Sequence, residues 1–175
     1  MKKANSPKGN NNIFITGFMG SGKTTVGKVL AKKLNRKFID LDEAIEDFMD
    51  KKIYEIIEKF GEDYFRKIEN QQLALACKEK ETVIALGGGS LIAPKNQYQI
   101  RRSGSLVHLW ANESTLMSRL ENTNTRPLLK SGKGLRELYE ERKPGYALAN
   151  VCVQADERSP ERIASNIINE LERMK

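Results

Sequence analysis

A glycine-rich segment that directly follows a short apolar run constrains the fold of this chain more than any other feature. Residues 17–24 read GFMGSGKT, with the apolar residues 13–16 before them and the helically spaced Val26, Leu30 and Leu34 after them. A backbone with few Cβ atoms can wrap a chain of phosphates with its N–H groups, at a helix end whose partial positive charge favours anions. The segment therefore predicts a strand, a Walker A loop and a helix.

The residues of this loop have distinct predicted roles. Lys23 supplies a mobile cation that can follow charge along the phosphates, and the Thr24 hydroxyl is a candidate ligand for Mg2+. The residues of this segment that are expected to bind the nucleotide are Gly20, Ser21, Gly22, Lys23, Thr24 and Thr25.

Apolar runs and helical spacing alternate along the rest of the chain. Strand-like runs rich in β-branched and aromatic residues lie at 13–16, 38–40, 82–86, 106–110 and 151–154. Helical spacing recurs between them, and near the end at Ile163, Ile167 and Leu171. This alternation predicts a three-layer α/β fold in which a five-stranded parallel sheet has helices on both faces. Ligands of such sheets bind at the carboxyl ends of the strands, so the functional residues are expected there.

Length and charge limit the number of domains and the kinds of partner. The chain has 175 residues and a net charge of +7, and we expect a disordered tail over residues 1–12 and a single domain over residues 13–175. The charge excess lies in the tail, which carries Lys2, Lys3 and Lys8, and in the basic segment 126–136. Acidic and basic residues balance elsewhere, which argues against nucleic acid as a partner.

The sequence contains no evident export signal, membrane anchor or metal-binding cysteine motif. The tail has no apolar core, no run approaches the roughly 20 apolar residues of a membrane span, and Cys77 and Cys152 stand far apart. We therefore expect a cytoplasmic protein with reduced thiols and no membrane partner.

Residues beyond the loop narrow the nucleotide chemistry. The sequence has no NKxD-type segment, which guanine-specific proteins use, and 175 residues are few for a motor ATPase. The third predicted strand ends in Gly87, Gly88 and Gly89, where many P-loop proteins place a metal-binding acid. These features favour a small-molecule kinase whose metal-side carboxylate comes from another strand.

Two aspartates at the second predicted strand are candidates for that chemistry. If the strand continues through Asp40 and Asp42, their spacing of two places both carboxylates on one side. Asp40 would then hold Mg2+ through water, and Asp42 would accept a hydrogen bond from an alcohol that attacks the γ-phosphate. The alternative is that both carboxylates cap the following helix, and residue type alone does not decide between the two.

Three arginines complete the candidate set. Arg66, Arg126 and Arg142 each carry a planar guanidinium suited to bidentate capture of a carboxylate or phosphate. A solvated arginine on a helix is the commoner explanation for any one of them, so their weight lies in their combination with the loop and the aspartates.

Together these motifs resemble the shikimate kinase family of small P-loop kinases. The matching residues are GFMGSGKT at 17–24, Asp40, Asp42, Gly61, Glu62, Phe65, Arg66, Glu69, Gly87, Gly88, Gly89, RPLL at 126–129, Arg142, Pro144 and Tyr146. The resemblance covers residues 13–165. It implies a P-loop kinase fold and a Mg2+-dependent, monomeric enzyme that moves the γ-phosphoryl group of ATP to the 3-hydroxyl of shikimate, on the route to chorismate and the aromatic amino acids.

The resemblance also implies which residues hold shikimate. Asp42 would hold the attacking hydroxyl, and Arg66 and Arg142 would clamp the substrate carboxylate. The middle glycine of the triplet Gly87, Gly88 and Gly89 would approach the substrate with its backbone.

Further arginines are implied at the ATP side. Arg126 would reach the phosphates when a lid over residues 122–136 closes, and with Lys23 it would offset charge on the moving phosphoryl group. Arg119 would stack on adenine, and a residue near Arg158 or Pro160 would cover the other side of the base.

Two features depart from the family pattern. Gly145 follows Pro144 where the family commonly has leucine, and the predicted lid is shorter than usual. A short lid affects closure and ATP affinity more than the reaction itself. Two other functions stay open on the sequence: a kinase of another small hydroxylated acid, and a nucleotide-dependent binding protein without turnover.

Overall fold

The structure is a computed structural model that describes residues 11–121, 134–156 and 158–174. Strands and helices alternate from β1 through α8. The strands are β1 (Asn12–Thr16), β2 (Lys37–Asp40), β3 (Thr82–Ala85), β4 (Gly104–Trp110) and β5 (Val151–Gln154). The helices are α1 (Lys23–Leu34), α2 (Leu41–Met49), α3 (Ile53–Phe60), α4 (Glu62–Ala76), α5 (Pro94–Ser103), α6 (Glu113–Glu121), α7 (Leu135–Tyr146) and α8 (Pro160–Arg173).

The five strands form one parallel sheet in the order β2-β3-β1-β4-β5. The central strand is β1, in which Ile15 pairs with Ala85 of β3 on one side and with Val107 of β4 on the other. Because the sheet is parallel, the segments that leave β1, β2 and β3 emerge at the same edge. This architecture confirms the predicted five-stranded α/β fold.

Side-chain alternation along the strands divides the core between the two faces of the sheet. Phe14 and Ile84 belong to a buried cluster that includes residues of α2, α3, α4 and α5. Their neighbours Ile13, Ile15 and Val83 belong to a second cluster, which includes residues of α1 and α8. The period of two along each strand therefore supplies an apolar surface to both helical layers.

Strand boundaries differ from the prediction by one or two residues. β1 begins at Asn12, which therefore belongs to the sheet and not to the predicted tail. Its buried side chain donates to the Glu79 carbonyl oxygen at 2.8 Å and accepts from the Thr82 N–H at 3.0 Å. β4 begins at Gly104, where a Cβ would overlap the Asn12 carbonyl. Polar residues and glycine carry no hydrophobic signal, so the apolar runs underestimated these strands.

Two predicted segments fall largely outside the structure. Residues 1–10 of the predicted tail and residues 122–133 of the predicted lid lie outside the described residues. Among the described helices, none has both the length and the apolar composition needed to cross a bilayer. Neither Cys77 nor Cys152 forms a disulfide within the described part of the chain.

Candidate active site

The loop between β1 and α1 has the backbone that its glycines predicted. Gly20 and Gly22 have φ angles of 81° and 91°, which residues with a Cβ rarely adopt. The Lys23 ammonium donates to the carbonyl oxygens of Gly17 at 2.9 Å and of Phe18 at 3.3 Å. The lysine therefore folds back across the loop and places its charge at the carboxyl end of the central strand.

Asp40 connects the loop to the start of α2. The Thr24 hydroxyl donates to Asp40 Oδ2 at 2.6 Å, while Asp40 Oδ1 accepts from the backbone N–H groups of Asp42 at 3.0 Å and Glu43 at 3.4 Å. β2 ends at Asp40 and α2 begins at Leu41, so the strand does not continue through both aspartates as the same-side argument required. Asp40 therefore caps α2 with Oδ1, as the capping alternative predicted, while its Oδ2 faces the phosphate-binding loop.

Asp42 reaches from the first turn of α2 towards the end of β3. A Cβ added at Gly87 would lie 2.6 Å from Asp42 Oδ1. Burial raises the pKa of Asp42 to about 6, and the nearby carboxylates of Asp40 and Glu69 add to the rise, although the charge of Lys23 opposes it. Asp42 is therefore a carboxylate of raised basicity beside a cation.

The glycine triplet leaves room for the charged groups of the site. A Cβ at Gly88 would lie 2.8 Å from Arg142 Nη1, and one at Gly89 would lie 2.6 Å from Arg66 Nη1. A side chain at any of the three positions would displace a charged group from the site. The triplet was predicted to let a substrate approach the backbone. The structure gives a second reason for glycine at these positions, which is the space that the charged side chains occupy.

A partly buried ion pair holds Arg66 in place. Its Nη1 donates to Glu69 Oε2 at 2.8 Å and its Nη2 donates to Glu62 Oε1 at 3.0 Å, both within α4. Glu69 is 1% exposed, and its Oε1 accepts from the Ser90 hydroxyl at 2.7 Å. The pair therefore fixes the guanidinium to the segment that follows the glycine triplet.

Arg142 of α7 is a buried cation with unmet donors. It is 5% exposed, and within the described residues its Nε and Nη1 atoms have no hydrogen-bond partner. Leaving buried charged donors unpaired costs free energy, which an anion such as a carboxylate would recover. The geometry of Arg142 is that of an anion receptor.

These groups line one cavity of about 700 Å³, a volume suited to a small ligand. The predicted site residues that line it are Lys23, Thr24, Asp40, Asp42, Arg66, Gly88, Gly89 and Arg142. The cavity thus combines a cation at the phosphate-binding loop, a carboxylate of raised pKa and two guanidinium groups.

The other predicted residues lie outside this cavity lining. Arg119 of α6 donates to the carbonyl oxygens of Gly20 at 3.1 Å and Ala155 at 3.0 Å, and so joins the loop to the segment after β5. Thr25 and Arg158 are exposed. Arg126 lies outside the described residues.

The sequence analysis gave no role to Glu69 or to Phe18. The spacing of three between Arg66 and Glu69 on one helix is a signal that predicts their ion pair. No comparable signal marks Phe18, whose ring lies under the Arg142 guanidinium, because its partner is remote in the sequence.

Comparisons with known proteins identify the family of this chain. A model of the family described as shikimate kinase matches residues 19–172. Shikimate kinases from Sulfurihydrogenibium sp. (strain YO3AOP1) and Thermodesulfovibrio yellowstonii are each 41% identical to this chain, over 163 and 166 residues. Both alignments cover 93% of this chain, and they cover 98% and 96% of the two relatives.

Solved structures give the same result. Shikimate kinase from Acinetobacter baumannii in complex with shikimate superposes with a TM-score of 0.89 and 32% identity, covering 94% of each chain. Shikimate kinase from Aquifex aeolicus superposes with a TM-score of 0.81 and 34% identity, covering 92% of this chain and 96% of that one.

Proposed function

The chain belongs to the shikimate kinase family, and we propose that its cavity holds shikimate beside ATP so that the γ-phosphoryl group passes to the 3-hydroxyl, giving shikimate 3-phosphate and ADP. The observation that carries the assignment of the site is the convergence of Lys23, Asp42 and the unpaired donors of Arg142 on one cavity. A nucleotide-binding protein without turnover has no need of a buried carboxylate of raised pKa beside the phosphate-binding lysine.

The carboxylate of shikimate meets the two guanidinium groups. Arg142 offers unpaired buried donors, and Arg66 is fixed by Glu69, so both are oriented before the substrate binds. A substrate anchored at its carboxylate presents its hydroxyls in a fixed orientation, which supplies much of the advantage of an enclosed site.

Asp42 orients the attacking hydroxyl. Its raised pKa favours acceptance of a hydrogen bond, and of the proton late in the transfer. Lys23 follows the charge that moves onto the bridging oxygen, and Arg126, from the lid, is proposed to assist it. Arg119 and Arg158 are proposed to enclose the adenine.

The residues near the loop fit Mg2+. The Thr24 hydroxyl and the Asp40 carboxylate are 2.6 Å apart and are hard oxygen ligands. Within the described ranges no cluster of three histidine, cysteine or acidic side chains could form an all-protein cage, and Mg2+ prefers few protein ligands with water and phosphate oxygens. Bound there, the ion would neutralise charge on the β- and γ-phosphates. We propose that the enzyme works as a cytoplasmic monomer.

A coupled assay of ADP release tests the function. ADP should form only when both ATP and shikimate are present, and quinate, a related hydroxylated acid, should be a poor acceptor. Lys23→Met should lower kcat/KM at least about a hundredfold, because a preorganised charge at the transferred group is removed.

The matched control for this variant is Lys32→Met, which changes an exposed lysine in the last turn of the same helix. Its activity should equal that of the wild-type chain. Full activity in Lys23→Met, or ADP release that does not depend on shikimate, would contradict the proposed function.

A further inference from the structure

A side chain of the phosphate-binding loop lies against the arginine of the acid site. The Phe18 ring faces Arg142, with 5.5 Å from Cζ to the ring centroid. Phe18 itself is 4% exposed, so the contact is shielded from water. A cation over a shielded aromatic face is attracted more strongly than at an exposed site.

The ring is fixed from its other sides. Phe18 packs in a small buried cluster with Met19, Leu116 of α6 and Leu138 of α7. The ring of Tyr139 meets it edge-on, with 5.6 Å between centroids and 71° between planes. Phe18 therefore presents its face to Arg142 with little rotational freedom.

The surroundings of the guanidinium supply no hydrogen-bond acceptor to Nε or Nη1 among the described residues. Gly88 approaches Nη1 on one side, and the Tyr146 hydroxyl lies near the charge. Burial raises the pKa of Tyr146 to about 12, although the charge of Arg142 opposes this, so the hydroxyl is neutral at neutral pH. The aromatic face of Phe18 is thus a main stabilising contact for the positive charge.

The same residue takes part in the ATP loop through its backbone. The Phe18 carbonyl oxygen accepts from the Ser21 N–H at 3.1 Å and from Lys23 Nζ at 3.3 Å. One residue therefore contacts the phosphate-binding lysine with its main chain and the acid-binding arginine with its side chain.

We propose that Phe18 is a positioning residue for Arg142: its ring face orients the guanidinium towards the cavity and thereby sets the affinity for the carboxylate of the substrate. This inference rests on the proposed function, in which Arg142 binds that carboxylate. Its consequence is that shikimate affinity depends on a side chain of the nucleotide loop.

The experiment replaces Phe18 by mono-, di- and trifluorinated phenylalanine, which weakens the negative face of the ring with little change in shape. The KM for shikimate should rise stepwise, by about tenfold at the trifluorinated residue, because the attraction is shielded from water. The kcat and the KM for ATP should stay within about twofold of the wild-type values. A merely structural role would give no trend with fluorination.

The matched control is the same series at Phe60 of α3. Phe60 is exposed and lies under the Lys59 ammonium, at 5.3 Å from the centroid. All kinetic constants should be unchanged there.

Arg142→Lys separates failure of the inference from failure of the proposed function. A flat series at Phe18, with a large rise of the shikimate KM in Arg142→Lys, would overturn the role of Phe18 alone. An equal rise of both substrate KM values across the series would also overturn it. An unchanged shikimate KM in Arg142→Lys would overturn the assignment of the acid site, and the inference with it.

Discussion

Asp42 shows how one residue acquires a chemical property from its position. The carboxylate lies on the first turn of a helix, yet it extends into a cavity where burial and the carboxylates of Asp40 and Glu69 favour its protonated form. Lys23 opposes them, and the pKa of Asp42 rises to about 6, well above the usual 3.8 of an aspartate but below neutral pH. At pH 7 the group is ionised and close to its own pKa, as a proton acceptor requires.

The pH dependence of catalysis should report this group. Protonation removes the acceptor for the shikimate hydroxyl, so kcat/KM for shikimate should fall as the pH drops below about 6, tenfold per unit once most of the carboxylate is protonated. Steady-state kinetics between pH 4.5 and pH 8 measures this acidic limb of the pH profile. Asp42 is the expected origin of this limb, because its pKa of about 6 lies within the range.

Asp42→Asn is the control for that profile. The variant should lose most of the activity at pH 7, and what remains should show no limb near pH 6. A limb that persists unchanged in the variant would assign the titration to another group.

The sequence predicted the residue types of the site better than their contacts. Side-chain chemistry and the family resemblance made Lys23, Asp42 and Arg142 candidates, and the structure places all three around one cavity. The spacing argument for Asp42 failed, because β2 ends at Asp40. The unpaired state of Arg142 and the proximity of Phe18 depend on packing between segments remote in sequence, and no local pattern encodes them. The role of Arg126 stays a prediction, since it lies outside the described residues.

At the scale of elements, α7 joins the nucleotide loop to the acid site. Leu138, Tyr139, Arg142 and Tyr146 recur at helical spacing and form its inner face. The helix must approach the segment after the glycine triplet closely, because a Cβ at Gly145 would lie 2.7 Å from Leu91 Cβ. The absence of the leucine common in the family at this position therefore has a local packing reason.

Gly145→Ala tests that packing. The added methyl group should force α7 away from Leu91 and lower the free energy of unfolding by about 1–3 kcal/mol, as overpacking of a core does. Urea denaturation measures the change. The shift should also raise the KM for shikimate, since Arg142 lies on the same helix.

Gly134→Ser is the matched control on this helix. Gly134 is the N-cap of α7, and a Cβ there would meet no atom of the described residues within 4 Å, so serine should leave stability unchanged or slightly raised. Equal stability of Gly145→Ala and the wild-type chain would contradict the close approach of α7.

The start of α2 shows why elements were harder to predict than the fold class. The apolar run at 38–40 ends at Asp40, as β2 does, but the spacing of the two aspartates left open a strand that continues through Asp42, since an aspartate can follow a strand or cap a helix. Alternation of apolar runs and amphipathic stretches nevertheless indicated the parallel sheet, because that signal is summed over the whole chain. The end of a strand depends on the conformation of a single residue, whereas the fold class depends on a pattern of many residues.

At the scale of the whole molecule, apolar burial is distributed unevenly. Two large clusters fill the two faces of the sheet and include the central residues Phe14 and Ile15. The described part of α6 contributes Leu116 to a third and smaller cluster, together with Phe18, Met19 and Leu138. Both large clusters cover the central strands, so these strands should open last, and the region beside the nucleotide loop is expected to open before them.

Hydrogen exchange measured by mass spectrometry tests this gradient. Amides of α6 should exchange at least about a hundredfold faster than those of β1 and β4, because these strands are internal to the sheet and two large clusters cover them. ADP should slow exchange in α6, since Arg119 and Leu116 connect that helix to the loop. Amides of α5, which packs through Ile100 in one of the two large clusters, should be unaffected by the nucleotide. Exchange in α6 as slow as in β1, or equal protection of α5 and α6 by ADP, would contradict the view that the loop is coupled to a locally weak part of the molecule.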